Sequence, residues 1–359
     1  MGQESQRLPA IDAVRGIAMV LMTLDHASSS FNAGRIVLDS AATFRPGTPL
    51  DPLQFLVRWV THLCAPTFVF LAGASLALSV ARRQGDGTRS SAIDRDIFLR
   101  GALILGLEVV WMSWVFKLGL PLQLGVLYAI GASMLVMVVL RPLPPVLVGV
   151  LGMAMMVGGE ALTDLLDPLN PIVAATLAGG RIGPVLFLYP VLPWTGFMML
   201  GWAVGMRLAH RGMRARDWLV LAWIAAATFV VVRGVDRYGN AHLYRDGASW
   251  IDWLHVSKYP PSLSYAALEL AIAFCLLAVA SRWARPWRPL VVLGQTALFF
   301  YLVHIHLFKA VAVPLGLYKS EGLGATAIAW LAMLVLLYPA CRWYLGVKRR
   351  HPRSVLRFV

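Results

Sequence analysis

The sequence predicts an all-α fold: a polytopic membrane helix bundle of about ten transmembrane helices, both termini cytoplasmic, with a single transmembrane domain filling residues 1–359. Three observations carry this. First, 58% of the residues are hydrophobic and only 14% are charged, too little polar surface to solvate a globule. Second, ten segments satisfy the rule that a hydrocarbon core of about 30 Å needs roughly 20 mainly apolar residues. Third, the basic residues crowd into alternate connections between those segments.

The segments begin near residues 11, 53, 97, 122, 144, 185, 217, 262, 289 and 322. The first follows MGQESQRLPAID, which has no basic n-region, short apolar core or small-residue cleavage site, so the segment is expected to stay as a helix. Gly2 is not followed by Ser or Thr at position 6, and myristoylation is unsupported. Segments 2 and 3 are separated by the arginines from Arg82 to Arg100. Arg141-Pro-Leu-Pro-Pro divides segments 4 and 5, Lys258-Tyr-Pro-Pro-Ser opens segment 8, and Arg285-Pro-Trp-Arg-Pro opens segment 9. In each, proline removes a backbone donor and pushes its predecessor out of helix. The long connections near residues 30–52 and 234–261, rich in Gly, Asp, Tyr and Trp, read as lids over a cleft. No fixed-period repeat stands out.

The net charge of +14 would suggest nucleic acid in a soluble protein, but here the cations act first as topology signals, and no nucleic-acid partner is expected. One set of connections, with Arg7, Arg141, Arg282, Arg285, Arg288 and the basic tail, holds 20 Lys and Arg; the opposite set holds 10. That excess puts the termini in the cytoplasm. Cys64, Cys275 and Cys341 lie within helices without metal or disulfide spacing and read as small core hydrophobes.

An ionisable side chain in hydrocarbon costs at least about 2.5–3.5 kcal/mol, so each calls for a partner, a cavity or a function. Segment 1 holds Asp12 and Arg15, spaced to pair on one face, and His26, eleven residues beyond Arg15 and within about 20° of its face. At 1.5 Å per residue His26 lies roughly 16 Å deeper, in the noncytoplasmic half. Asp25 points about 100° away. Segment 2 brings His62 to similar depth, with Arg58 one turn before it, and segment 9 brings His304 and His306, which diverge by about 160°. Of these two, His304 is favoured for the cleft. Histidine both gives and takes protons near neutrality, so convergence of three helices on one depth points to proton-transfer chemistry. Against that stands the plain alternative that each imidazole satisfies a buried carbonyl. Glu108 and Arg58 are either cleft residues or charge partners, Gln123 opens segment 4, and Glu269 defaults to structural pairing. Trp194, Trp250 and Trp253 read as interfacial anchors before sugar-stacking surfaces. No GxSxG, Walker, GxGxxG, HExxH or metal-spaced carboxylate motif appears, and no metal is expected.

The run from Arg7 to Met22, with Asp25-His26-Ala, resembles the opening of the heparan-alpha-glucosaminide N-acetyltransferase-like family, which has bacterial members of unknown function. Further stretches agree in order: Thr61-His62 through Pro66 to Gly73, Leu122-Gln to Gly131, Pro193-Trp-Thr-Gly196 to Gly201, Lys258 to Ser262-Leu, and Phe299-Phe-Tyr301-Leu-Val-His304. The resemblance spans nearly the whole chain. It implies an acyl-CoA-dependent acyltransferase in the bacterial cytoplasmic (inner) membrane, moving an acetyl group from cytosolic acetyl-CoA to a hydroxyl or amine of a glycan or amino sugar on the other side. The candidate catalytic residues are His26, Asp25, His62 and His304. The donor-site candidates are Asp12, Arg15, Arg58, Gln123, Ser262 and Tyr301, and a homodimer is the assembly considered. The lysosomal family member has Asn where His26 falls, and residues 32–61 lack the His it carries in that connection.

On this reading His26, oriented by Asp25, Asp12 or a neighbouring helix, deprotonates the acceptor while His62 or Gln123 hydrogen-bonds the oxyanion. An acyl-imidazole on His26 or His304 is the ping-pong variant. The rival is a secondary transporter or proton-coupled carrier, since intramembrane Asp, Arg and His also build relays.

Overall fold

A computed structural model describes residues 9–282, 287–351 and 354; Arg7, Arg285 and part of the basic tail, counted above, lie outside the described residues. In chain order the helices are α1 (Pro9–Phe31), α2 (Pro52–His62), α3 (Cys64–Gly85), α4 (Ser90–Leu107), α5 (Val126–Leu140), α6 (Pro145–Leu165), α7 (Pro171–Val173), α8 (Val191–Arg211), α9 (Ala215–Val235), α10 (Trp250–Leu254), α11 (Leu263–Ala280), α12 (Arg288–Gln295), α13 (Ala297–Ala312) and α14 (Leu323–Arg350). Strands β1 (Leu122–Leu124), β2 (Gly180–Ile182) and β3 (Val185–Phe187) form one small sheet, with β3 parallel to β1 and antiparallel to β2.

The protein is thus an all-α polytopic chain. The continuous run Pro52–Gly85 and helices α6, α9, α11 and α14 are long and apolar enough to cross a membrane, and α12 with α13 adds a sixth if it is one broken span. The ten apolar segments of the sequence map onto these six and onto α1, α4, α5 and α8. Two of them start later than the hydropathy suggests, because residues 122–124 and 185–187 pair as strands before α5 and α8 begin. Gln123 therefore sits on a strand, its N–H donating to the Ser113 carbonyl at 2.7 Å. Segment 9 is a bent pair, turned by 85° where Thr296 leaves helical geometry at φ −115° and ψ 20°.

Packing divides the chain into two compact units that are discontinuous in sequence: Met1–Arg35, Arg214–Ala222 and Ala271–Val359 form the first, and Ile36–Met213 and Trp223–Leu270 form the second. In the first, α1 crosses α12 with backbone almost touching backbone. A methyl group added at Gly16 would lie 2.0 Å from the Leu290 carbonyl oxygen, and one added at Gly294 would lie 1.9 Å from that of Asp12. Small residues allow such approach where helices associate in lipid. Gly294→Ala is expected to force the helices apart and to lower the melting temperature in detergent, a cost of about 1–3 kcal/mol for overpacking; an unchanged transition would disprove the close crossing. Trp330 Nε1 donates to the Val20 carbonyl at 2.9 Å, tying α14 to α1.

The second unit repeats the device. Methyl groups at Gly73 and Gly201 would each meet a carbonyl oxygen of the other helix, Met198 or Phe70, at 2.0 Å, so α3 and α8 pack tightly. Glu108, in a π-helical turn after α4, accepts from the N–H groups of Gly125 (2.8 Å) and Leu127 (3.0 Å) and so satisfies orphan donors at the start of α5. Its role is local capping. Arg233, fully buried near the end of α9, donates to the carbonyls of Leu243, Asp252, Trp253 and His255 and to Asn240 Oδ1. These bonds pin much of the connection between α9 and α11.

Candidate active site

The chemistry in the first unit starts on one face of α1. Asp12 Oδ1 accepts from Arg15 Nη1 at 3.1 Å, and Asp12 Oδ2 accepts from Gln295 Nε2 at 2.9 Å. Arg15 also reaches the Gly294 carbonyl at 3.5 Å. The i,i+3 pairing expected from spacing is present, and the glycine crossing supplies its third member from α12.

Three turns along α1, His26 Nδ1 lies 2.6 Å from His304 Nε2 on α13, and the two rings stack with centroids 4.9 Å apart. The protons can be assigned from the network. His304 Nδ1 lies 2.8 Å from the Phe300 carbonyl oxygen, which can only accept, so His304 carries its proton on Nδ1. Its Nε2 then holds a lone pair and must accept from His26 Nδ1–H. In the neutral pair this leaves the lone pair of His26 on Nε2. His304 is fully buried and His26 only partly. The Tyr301 ring stands 6.0 Å from His26 and 5.9 Å from His304. Asp25, one residue back, accepts from Arg35 Nη2 at 2.9 Å, and its carbonyl from Arg35 Nη1 at 2.8 Å. The side chain that meets the His26 ring at Nδ1 is His304.

The second unit holds a buried ionic cluster. Asp39 Oδ2 accepts from Arg58 Nε at 2.8 Å and from Arg58 Nη2, with both side chains nearly inaccessible. His62 Nε2 lies 3.3 Å from Asp39 Oδ1, close enough to feel the carboxylate but poorly angled for a hydrogen bond. Burial by itself would raise the Asp39 carboxyl; the Arg58 charge, with the His62 imidazole beside it, outweighs burial and holds the group well below the usual carboxylate range. The backbone on either side is tied down: Lys258 N–H donates to the Asp39 carbonyl at 2.9 Å, and His255 Nε2 lies 2.8 Å from that of Leu38. Burial lowers the His255 imidazole, leaving it a neutral donor to that carbonyl. Ser262 Oγ accepts from the Tyr265 N–H at 3.0 Å and meets Ser264 Oγ at 3.0 Å.

The structure thus joins His26 with His304 and Asp12 with Arg15, and brings Arg58 and His62 to opposite oxygens of Asp39. It places Gln123 on the small sheet and Ser262 at the cap of α11. Sequence reasoning missed Asp39, Gln295 and Tyr265. Only Asp39 had a signal, since a buried arginine in an apolar helix demands a carboxylate and the connection before α2 offers few; Asp51, the other near candidate, caps α2 by accepting from Gln54 N–H.

Among the described residues no group of three or more His, Cys, Asp or Glu is arranged to hold a metal ion. What the fold defines is a polytopic helical membrane protein, in which an imidazole pair joins α1 to α13. Residues 7–235 match the family model described as heparan-alpha-glucosaminide N-acetyltransferase, catalytic, and the chain belongs to that family. It is accordingly a transmembrane enzyme of the acyltransferase type. The matched region includes His26, Asp39, Arg58 and His62, while His304 lies beyond it. No curated protein matches the chain.

Proposed function

We propose that the enzyme takes an acetyl group from cytosolic acetyl-CoA and delivers it to a hydroxyl or amine of a glycan-type acceptor on the far side of a bacterial cytoplasmic membrane, with both chain termini cytoplasmic. The observation that carries this reading is the His26–His304 pair, whose hydrogen-bond order leaves a base at His26 Nε2. His26 Nε2 takes the proton of the acceptor as its oxygen or nitrogen attacks the thioester carbonyl. The new positive charge is shared along Nδ1–H toward His304. The tetrahedral adduct collapses by breaking the C–S bond, and the CoA thiolate leaves with the proton returned by the imidazolium. His304 is a positioning residue on this scheme, and Asp25 supports α1 through Arg35. Asp12 and Arg15 hold the cytoplasmic end of the donor, with Tyr301 as a further donor-site candidate. Two copies forming a homodimer is part of the proposal.

A secondary carrier is the second reading, favoured by the broken span α12–α13, since interrupted helices line transporter sites. Thermal denaturation of the detergent-purified protein separates the two. Acetyl-CoA at about 100 times its Kd is expected to add about 2.7 kcal/mol of apparent stability, and mixing with acceptor is expected to release free CoA thiol. An absent shift and absent thiol release overturn the acyltransferase scheme. Because the base must be neutral, the rate is expected to rise with pH until the imidazole is deprotonated.

A further inference from the structure

The end of the second unit where α3 stops and α4 starts carries a dense run of charge. Residues 82–100 hold five arginines and three aspartates. Side-chain contacts gather neighbouring helix ends around them. Arg83 Nη2 donates to Asp96 Oδ2 at 3.0 Å, joining the last turn of α3 to the second turn of α4. Arg141, just past the end of α5, donates to Asp94 and to the Ser90 carbonyl, the latter at 3.1 Å. The end of α8 lies here too, because α3 and α8 run parallel: Gly201 meets Phe70, and Gly205 meets Ala74 and Ala77. Arg211, six residues past Gly205, therefore reaches the level of the last turn of α3.

The pairings leave this charge one-sided. Arg141 is buried and takes Asp94, and Arg83 is half-buried and takes Asp96. Two of the three carboxylates thus neutralise arginines held against the bundle. Arg82, Arg89, Arg95 and Arg211 are all exposed, and Asp86 is the third carboxylate. A bias of cations to one side of a membrane accounts for the number of arginines at this end. It does not account for carboxylates engaged by the less exposed arginines while the outward ones face a single acid.

The exposed face of α4 shows which anion suits them. Ser91, Arg95, Phe98, Leu99 and Ala102 are exposed and recur at helical spacing, with Phe98 52% and Leu99 44% accessible. Within one turn of Arg95 this face passes from polar to apolar. We propose that the rim binds the headgroup of an anionic phospholipid, with Arg95 at the phosphate and the chains along Phe98 and Leu99. A guanidinium fork matches phosphate oxygens and stays charged at every accessible pH, so the site needs no particular protonation state. The other exposed arginines raise the positive potential at the headgroup level. A zwitterionic phospholipid brings its own cation toward them and is the weaker ligand, and a soluble phosphate lacks the apolar half. Nothing in this assignment depends on acetyl transfer.

Native mass spectrometry of the detergent-purified full chain tests it, with phosphatidylglycerol and phosphatidylcholine of identical chains as probes. Phosphatidylglycerol is expected to bind at least about tenfold tighter. The double variant R89Q/R95Q is expected to bring the two lipids within about twofold of each other. R237Q, which removes an exposed arginine from the connection after α9, is expected to leave the preference as it is. The proposal is overturned if the wild-type protein binds both lipids equally, if a folded R89Q/R95Q keeps the preference, or if R237Q abolishes it as fully. It is also overturned if glycerol phosphate or CoA displaces phosphatidylglycerol at equal concentration, which would assign the arginines to a soluble phosphate. The wild-type comparisons need no variant to fold.

Discussion

His26→Ala lowers the single-turnover rate of acetyl transfer by about 10²- to 10⁴-fold, the range a positioned general base contributes. The effect falls on the chemical step, so affinity for acetyl-CoA, read by thermal shift, stays within about twofold of wild type. The reason lies in the direction of the hydrogen bonds. The Phe300 carbonyl fixes the proton on His304 Nδ1, and His304 then fixes the proton on His26 Nδ1. Replacing His304 with Ala removes the partner that holds this tautomer, and a loss of roughly 10- to 100-fold is expected, as when the group orienting a functional histidine is deleted. His26 is then free to turn, so H304A is also expected to flatten the pH dependence of the rate, which a merely structural change would leave in place. Full activity in folded H26A protein would remove the base from the scheme.

Asp39→Ala is the substitution expected to cost most stability, about 3–5 kcal/mol, because it leaves the Arg58 guanidinium buried without its carboxylate. It also strips His62 of its neighbouring charge. Double replacement of Asp39 and Arg58 by apolar residues of similar volume should recover much of the loss, since burying neither charge is far cheaper than burying one. The pH dependence follows from the depressed Asp39 carboxyl. A carboxylate lower in the folded state contributes in full above the unfolded value of about 3.9 and loses that contribution only as pH falls through the folded value. Mild acid therefore leaves the pair intact in the wild type. Melting temperatures of wild type and D39A in detergent from neutral pH down to about 4 check both points: their gap should stay wide across the range, and a gap that closes by about pH 5 would contradict the low-lying carboxyl.

Pairings between residues close in sequence are legible in the chain itself. Asp12 and Arg15 sit i and i+3, Arg58 and His62 i and i+4, and the helix repeat puts each pair on one face without further information. Composition and the length of the apolar runs likewise settled the all-α membrane class, and prolines marked where several segments begin. The structure altered those edges where backbone pairing delays α5 and α8, where α4 begins at Ser90 ahead of its apolar run, and where the close crossing of Gly16 and Gly294 accompanies the bend between α12 and α13.

Helix phase gives each side chain a direction and a depth, but not the helix it faces. His26 and His304 were both expected at one level; that they meet Nδ1 to Nε2 depends on the packing of side chains 278 residues apart in sequence. Asp39 lies in an irregular connection with no period to orient it, so only the tertiary structure delivers it to Arg58. Glu269 shows the same limit in reverse. An apolar helix carrying one carboxylate suggests a paired charge, and only the packed structure shows that its oxygens meet no donor among the described residues. The sequence by itself determined which polar residues enter the membrane and which are neighbours along a helix. The tertiary structure decided which were satisfied and which were not, because long-range partners are chosen by packing rather than by spacing.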